Sequence, residues 1–245
     1  MSNLYKPSDN LITMLDPENS VSEAYRILRT NISLRDFDQK LKVINVISSN
    51  SQESKSTTVL NLGYVFSQLG KKVLIMDLDL RLPTLHKKLL LKNKYGISDV
   101  VVGGVKFNDA VVHYTERLDV LFSGTKNPYA SEFIQSHAFA NTLENLREKY
   151  DLILIDCPPI GLVTDGVITS TLCDGTILCI AAGKNDRKDL EKTRDLLQQF
   201  NVNILGIVMT RMPVSKRYYN KYGYSYGYGY TSDKKKKDKK VRKRK

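Results

Sequence analysis

Short apolar runs recur along the chain and alternate with segments of helical pattern. Six such runs are rich in Val, Ile and Leu: LKVINVIS, KVLIMDLD, LDVLFSG, YDLILIDC, GTILCIAA and NILGIVMT. Helical patterns lie between most of them, at 56–69, 133–149, 165–173 and 187–200. Strands that are apolar throughout and alternate with helices are typical of a parallel sheet covered on both faces. The pattern predicts an α/β domain in which helices sandwich a parallel sheet.

A further helix is predicted before the first apolar run. Residues 1–19 show no regular pattern and are expected to form an irregular arm. Ser20 followed by Glu23 is typical of a capping box, which predicts that a helix begins here and continues over 20–35.

The composition changes abruptly after residue 214. Residues 216–245 hold 13 Lys or Arg and two Asp, and so carry +11 of the chain's net charge of +12. Seven tyrosines, interleaved with Gly, Ser and Asn, occupy the first half of this segment. Glycine and like-charge repulsion both oppose packing. We therefore predict a globular domain at 1–214 and a disordered, tyrosine-rich and basic tail at 215–245.

The chain shows neither a membrane-spanning pattern nor a signal peptide. No apolar run reaches the roughly 18–20 residues that a membrane helix needs, and the start of the chain lacks the basic and apolar regions of a leader. We expect a cytoplasmic protein. Each basic residue of the tail near an anionic membrane would contribute about 1 kcal/mol of attraction. Nonspecific nucleic-acid binding is a less favoured interpretation of the same charge, and a simply solvated tail is the third.

The loop SSNSQESKSTT lies between the first apolar run and a helical pattern. In a phosphate-binding loop, backbone N–H groups surround the phosphates, a Lys reaches the β/γ oxygens and a Ser or Thr hydroxyl binds Mg²⁺. Lys55 and Ser56 occupy those two positions. The glycines of the signature would fall at Ser49 and Ser54, where a positive φ would cost serine about 1–3 kcal/mol. Taken alone, the loop fits an ordinary polar loop equally well.

Acidic residues follow two other apolar runs where each strand is predicted to end. Asp77 and Asp79 close the run in KVLIMDLDLRLP, and Asp156 closes the run in YDLILIDCPP. The carboxyl ends of parallel strands meet at the crevice where α/β sheets bind ligands. Carboxylates there can hold hydrated Mg²⁺ and orient a nucleophile for phosphoryl transfer. Although a lone strand-end Asp often only caps a helix, the combination with the Lys-Ser loop predicts nucleotide binding.

These three segments, in this order, resemble the Walker A, Walker A′ and Walker B motifs of bacterial tyrosine kinases. Those are the cytoplasmic kinases of capsule and exopolysaccharide export, related to the MinD/ParA group of P-loop ATPases. EAYRILRTNI is similar to the family's E-x-x-R-x-x-R helix, and the tyrosine-rich tail is similar to its C-terminal autophosphorylation cluster. MinD and ParA proteins lack both that cluster and the DxDxR pattern of the A′ motif.

The resemblance implies an ATP-dependent protein-tyrosine kinase that uses Mg²⁺. It implies catalytic roles for Lys55, Asp77, Asp79 and Asp156. It implies Mg²⁺ binding by Ser56, Asp77 and Asp156. It implies nucleotide contacts at Ser51, Gln52, Glu53, Ser54, Lys55, Ser56, Thr57 and Arg211. Asp77 would act as the base or orient the tyrosine hydroxyl, and Arg211 would stack on the adenine. Asp165 would respond to nucleotide state or cap a helix.

The resemblance also implies an oligomer and several partners. A ring of subunits would be built on Glu23, Arg26 and Arg29. The autophosphorylated residues would be Tyr218, Tyr219, Tyr222, Tyr224, Tyr226, Tyr228 and Tyr230. Each phosphate adds about −1.5 to −2 charges, so phosphorylation is expected to make the tail anionic and to loosen the ring. A separate membrane adaptor with a cytoplasmic activating segment, and a cognate phosphotyrosine phosphatase, are the implied partners. Such a kinase would lie at the inner face of the cell membrane.

The loop departs from the family's pattern, which reads P-G-x-G-K-S/T. Ser51, Gln52, Glu53 and Ser54 precede Lys55, so a proline and two glycines are missing. Glu53 is expected to add negative charge close to the phosphates. Weaker ATP affinity, or a loop ordered only by a partner, would follow. Two alternatives to the kinase therefore stay open: a nucleotide-binding pseudokinase or scaffold of the same pathway, and a MinD/ParA-like ATPase.

Overall fold

The computed structural model describes residues 5, 8–38, 40–161, 163–184 and 186–212. Its helices are α1 (Ile12–Leu15), α2 (Ser20–Arg35), α3 (Lys55–Ser67), α4 (Leu85–Lys88), α5 (Ile97–Val101), α6 (Phe107–Ala110), α7 (Ala130–Ile134), α8 (His137–Lys149), α9 (Asp165–Thr171) and α10 (Arg187–Gln199). Its strands are β1 (Val43–Ser48), β2 (Val73–Asp77), β3 (Val112–His113), β4 (Leu118–Leu121), β5 (Leu152–Asp156), β6 (Gly175–Ala181) and β7 (Ile204–Thr210). The described residues up to Arg211 form one compact unit.

The strands form one sheet in the order β3-β4-β2-β5-β1-β6-β7. Its pairs are parallel except for β3 with β4, which is antiparallel. All six predicted strands are present and the predicted fold class is confirmed. The edge strand β3 was not predicted because two residues are too few to show a strand pattern.

Both faces of the central strands β1, β2 and β5 are buried, which explains why these strands are almost entirely apolar. In β2, Val73 and Ile75 pack into one core cluster together with residues of α3. Leu74 and Met76 point to the opposite face and pack into the other cluster, together with residues of α8. Since successive side chains of a strand point to opposite faces, a strand between two helical layers needs an apolar residue at nearly every position.

Two helix predictions were wrong in detail. The second helix begins as predicted, but its N-cap is Asn19, so Ser20 is the first helical residue and not the cap. The single helix predicted at 133–149 is two helices. The hydroxyl of Ser136 accepts the Phe139 N–H and so begins the second of them. The short helices α1, α4, α5 and α6 were not predicted.

The tail predicted at 215–245, with its tyrosine cluster, lies outside the described residues, and the boundary at 214 stays a prediction. Within the described ranges, the helices are all too short or too polar to cross a membrane.

Candidate active site

The loop between β1 and α3 adopts left-handed backbone geometry without glycine. Gln52 and Ser54 have φ angles of +60° and +63°. These are the two positions at which the pattern P-G-x-G-K-S/T has glycine. Ser49, the other glycine position of the general signature, is not left-handed. A left-handed residue with a side chain costs about 1–2 kcal/mol of stability. The loop therefore has left-handed backbone at both glycine positions of that pattern, and the folded state is strained there.

Lys55 begins α3, and its side chain is buried beneath the loop. Its Nζ donates to Ser48 Oγ at 2.9 Å, and the Ser48 hydroxyl in turn donates to the carbonyl of Asn50 at 2.6 Å. Lys55 is thus the first residue of a 13-residue helix and carries an ammonium group held at the end of β1. A lysine and a helix N-terminus at one place favour an anion such as phosphate.

Glu53 lies in the loop itself, so the expectation that it adds negative charge close to the phosphates stays a prediction. The side chain is directed to backbone donors: Oε2 accepts the Asn50 N–H at 2.8 Å and Oε1 accepts the Ala181 N–H at 3.3 Å. The residue is only 1% exposed. The sequence shows no signal for this arrangement, because Ala181 is 128 residues further along the chain.

Asp77 and Asp156 lie side by side, as register partners at the carboxyl ends of β2 and β5. Asp77 accepts the Asp79 N–H with Oδ1 at 3.1 Å and the Leu85 N–H with Oδ2 at 3.1 Å, at the start of α4. Burial, together with repulsion by Asp156, raises the pKa of Asp77 well above its usual value. The predicted meeting of the two strand-end carboxylates is thus present in the fold.

Asp156 faces the phosphate-binding loop. Ser56, whose hydroxyl lies 2.9 Å from the hydroxyl of Thr84, stabilises the charged form of the Asp156 carboxylate. Burial raises the pKa of Asp156 to about 6, against the opposing effects of Ser56 and the Lys55 charge. Its Oδ1 is buried and has no hydrogen-bond partner within the described ranges. A buried carboxylate oxygen without a partner, beside a serine hydroxyl, fits a hard cation such as Mg²⁺.

The protein alone does not complete such a cation's coordination. Across the residues that the structure describes, no group of three or more His, Cys, Asp or Glu side chains is arranged to hold a metal ion. Mg²⁺ usually keeps several waters and is bound by one or two carboxylates plus substrate phosphates. The residues present therefore fit an ion that arrives with a nucleotide.

Asp79 and Arg81 extend the site from β2. Asp79 Oδ1 accepts the Leu82 N–H at 2.9 Å. Partial burial raises the pKa of Asp79, and the Lys55 charge opposes that shift. The guanidinium of Arg81 contacts Asp165 at the start of α9.

Arg81 forms a two-point ion pair with Asp165. Nε lies 2.7 Å from Oδ2 and Nη2 lies 3.3 Å from Oδ1, and the Ser131 hydroxyl donates to the same carboxylate. Burial would raise the pKa of Asp165, but the hydrogen bonds from Arg81 and Ser131 hold it below its usual value. The predicted cap role of Asp165 is wrong, since Thr164 is the N-cap of α9 and Asp165 follows it. The ion pair itself was not foreseen.

The remaining predicted nucleotide contacts surround the loop. Thr57 Oγ1 accepts a hydrogen bond from Lys88 Nζ at 3.0 Å. Arg211 Nε lies 3.5 Å from Ser54 Oγ, and Ser51 is an exposed loop residue. Lys88 was missed by sequence reasoning. It lies in α4, a helix that the sequence pattern does not show.

The three charged residues of the predicted ring-forming helix are divided between two environments. Glu23 Oε2 lies 2.7 Å from Arg26 Nε, and the pair is partly exposed. Arg29 instead donates from Nη1 to the Val65 carbonyl of α3 at 2.8 Å. One of the three residues therefore joins α2 to the helix of the phosphate-binding loop.

Comparisons with known proteins agree with this geometry. Residues 41–199 match the family of AAA domains. The tyrosine-protein kinase YwqD of Bacillus subtilis (strain 168) is 36% identical over 216 residues, which cover 88% of this chain and 90% of that protein. The tyrosine-protein kinase CpsD of Streptococcus pneumoniae serotype 4 is 36% identical over 203 residues, which cover 82% of this chain and 87% of that one.

Solved structures share the fold. The chimerical protein CapA2B2 has a TM-score of 0.80 at 33% identity, over 85% of this chain and 92% of that one. The kinase domain of the Escherichia coli tyrosine kinase ETK has a TM-score of 0.78 at 26% identity, over 93% and 87%. The septum site-determining protein MinD of Pyrococcus horikoshii, solved in complex with Mg-ADP, has a TM-score of 0.60 at 26% identity, over 72% of each chain. By its identity to curated relatives over most of both lengths, this chain belongs to the family of bacterial tyrosine-protein kinases.

Proposed function

We propose that this protein is an ATP-dependent tyrosine kinase that phosphorylates the tyrosines of its own tail in trans and regulates the synthesis and export of capsular or extracellular polysaccharide. The observation that carries the proposal is the combination of the buried Lys55 side chain with the Asp156 carboxylate, whose buried Oδ1 has no hydrogen-bond partner among the described residues. Family membership supports the same chemistry.

The proposed binding mode follows from the loop and the helix behind it. The β- and γ-phosphates of ATP would lie at the N-terminus of α3, where Lys55 neutralises part of their charge. Ser56, Asp156 and Asp77 would hold Mg²⁺, which when bound neutralises charge on the transferred phosphoryl group. The likeness to a fold solved with Mg-ADP supports this choice of ligand.

The transfer step needs a group that orients the tyrosine and takes its proton. The tyrosine Oη forms a bond to the γ-phosphorus while the bond to the β–γ bridging oxygen breaks, and ADP leaves. We assign the proton to Asp77, which lies at the carboxyl end of β2 beside Asp156 and belongs to the residue type that accepts the substrate hydroxyl proton in other kinases. Asp79, more exposed and drawn toward Lys55, would support the geometry of the metal.

Partners and location are proposed from the family. A membrane adaptor with a cytoplasmic activating segment, a ring of subunits and a cognate phosphotyrosine phosphatase fit a kinase of this class. The basic tail would add attraction to the anionic inner face of the cell membrane.

One experiment tests the proposal. The full chain is incubated with Mg-ATP, alone and with the adaptor's cytoplasmic segment, and phosphotyrosine is measured beside a Lys55→Met control. Phosphotyrosine that depends on Lys55 supports the kinase. ATP hydrolysis without phosphotyrosine would support a MinD/ParA-like ATPase. Neither activity in a folded protein would support a pseudokinase, the second candidate, which the strained residues Gln52 and Ser54 favour.

A further inference from the structure

We propose that Glu53 is a positioning residue that holds the glycine-free loop in its nucleotide-binding conformation. Its contacts stabilise the left-handed backbone that glycine adopts without strain in the pattern P-G-x-G-K-S/T. The inference rests on the proposed function, because the shape matters to activity only if a nucleotide binds there.

The loop needs such a residue because strain lies on both sides of Glu53. Gln52 and Ser54 are both left-handed, with φ of +60° and +63°. Side-chain-bearing residues persist in that region only when the surrounding structure fixes them there. Glu53 is the single residue between Gln52 and Ser54, so its contacts are well placed to hold both of them in the left-handed conformation.

Among the described residues, three hydrogen bonds hold Glu53 in place. Its Oε2 accepts the N–H of Asn50 at 2.8 Å, which closes the loop on itself. Its Oε1 accepts the Ala181 N–H at 3.3 Å, at the carboxyl end of β6. Its own carbonyl accepts the Thr210 hydroxyl at 3.0 Å, at the end of β7. The residue is thus tied to the loop and to two neighbouring strands.

The type of contact favours a carboxylate over other side chains. Hydrogen bonds from backbone N–H groups to an ionised acceptor are roughly twice as strong as neutral ones, and these lie in a site that is 1% exposed. A carboxylate offers two acceptor oxygens for the two N–H donors, whereas the amide of glutamine offers one. The N–H groups that follow Glu53 begin α3, where helix geometry leaves them without an intrahelical partner and so available to phosphate.

The test measures Mg-ADP affinity by calorimetry on the full chain, for wild type, Glu53→Gln and Glu53→Ala. We expect Glu53→Gln to weaken binding by roughly tenfold to a hundredfold, the range for a lost hydrogen bond to a charged group. Glu53→Ala should weaken binding further. Glu191→Gln, on the exposed face of α10, is the matched control and should leave affinity unchanged.

Glycine rescue separates loop positioning from a merely structural role. When Gln52→Gly and Ser54→Gly are added to Glu53→Gln, affinity should return to within a few-fold of wild type, because glycine adopts positive φ without strain. Wild-type affinity in Glu53→Gln alone, or an undiminished loss with both glycines present, would overturn the inference. So would a failure of the Glu53 variants to fold even with both glycines, since Glu53 would then be needed by the core. Wild-type protein that binds no Mg-ADP would instead overturn the proposed function, and the inference with it.

Discussion

Ser54 bears a side chain where the backbone favours glycine, and its replacement is expected to stabilise the protein. Its φ is +63°. Ser54→Gly removes about 1–2 kcal/mol of backbone strain from the folded state. Glycine also gives the unfolded chain more conformational entropy, which lowers the free energy of unfolding by about 0.4–1 kcal/mol. We expect a net gain of about 0.5–1 kcal/mol in the free energy of unfolding, measured with urea.

The neighbouring Ser51 provides the matched control. It is not left-handed, so Ser51→Gly should lower the free energy of unfolding by about 0.4–1 kcal/mol through the unfolded chain alone. Equal effects of the two substitutions would show that the strain at Ser54 is absent in solution.

The Arg81–Asp165 ion pair predicts a pH-dependent contribution to stability. Asp165 is 1% exposed, and Arg81→Met would leave its carboxylate buried without its cation. Removing one partner of a fully buried pair costs about 3–5 kcal/mol. The Arg81 side chain is 38% exposed, so solvent screens the pair. We therefore expect Arg81→Met to lower the free energy of unfolding by about 1–3 kcal/mol at pH 7.

The sign of the pH dependence follows from the lowered pKa of Asp165. A carboxylate whose pKa is depressed by folding contributes stability above its unfolded pKa and loses it as the pH falls through its folded pKa. The difference between wild type and Arg81→Met should therefore shrink as the pH falls below about 4. The control is Arg187→Met, since Arg187 forms an exposed pair with Glu191; it should change the free energy of unfolding little at any pH. If the difference between wild type and Arg81→Met stays constant with pH, the ion pair is not the source of the stability.

At the scale of elements, the adjacency of β2 and β5 places two carboxylates together at a cost to stability. Burial and repulsion raise the pKa of Asp77. Asp77→Asn relieves the repulsion but leaves one oxygen acceptor for the Asp79 and Leu85 N–H groups. Because these two effects oppose each other, we expect the substitution to change the free energy of unfolding by less than about 1 kcal/mol. The same change should lower the rate of phosphotyrosine formation at least about a hundredfold, as expected for loss of a general base. Urea unfolding and a phosphotyrosine assay on one preparation measure both effects.

Asp119 on β4 is the control for Asp77. It accepts hydrogen bonds from the Tyr150 hydroxyl and lies 2.7 Å from His113 Nδ1, and it takes no part in the proposed site. Asp119→Asn should therefore lower stability by about 1–3 kcal/mol and leave the rate per folded molecule unchanged. The opposite pattern for the two variants would mean that the catalytic assignment of Asp77 is wrong.

The elements also show which parts of the fold and site a sequence can predict. Asp77 and Asp156 were predicted to converge because each closes a strand, and parallel strand ends share one edge of the sheet. Lys55 was predicted beside them because its loop follows the end of another strand of that sheet. The contacts of Glu53 and Arg81 could not be predicted, because their partners come from β6 and α9, far away along the chain. The same limit holds for helices: a cap such as Asn19 is decided by one side-chain hydrogen bond rather than by periodicity.

At the scale of the whole molecule, α2 is expected to contribute to subunit association through only part of its charged motif. Glu23 and Arg26 pair at the surface, so replacing both with Ala should lower the oligomer mass in ultracentrifugation with little effect on folding. Arg29→Ala should also lower the free energy of unfolding by about 1–2 kcal/mol, since its bond to the Val65 carbonyl is lost. An unchanged mass for the double variant would contradict the proposed ring surface.

Phosphorylation of the tail is expected to involve two chains, one that supplies the active site and one that supplies the tyrosines. The sequence predicts that the tyrosine cluster lies on a flexible, Gly-rich tail, and from this we expect phosphorylation to occur between chains. We expect that a Lys55→Met chain, which keeps its tyrosines, gains phosphotyrosine only when mixed with a chain whose seven tail tyrosines are Phe.

A size tag on one chain separates the two products on a gel. Neither chain alone should be labelled in its tail, because one lacks the catalytic lysine and the other lacks the acceptors. Labelling of the Lys55→Met chain should rise with the concentration of its partner and fall when Glu23 and Arg26 are Ala in both chains. Phosphotyrosine that appears only in chains carrying both Lys55 and the tyrosines, whatever they are mixed with, would mean that each tail serves its own site and that the proposed ring is not needed for the reaction.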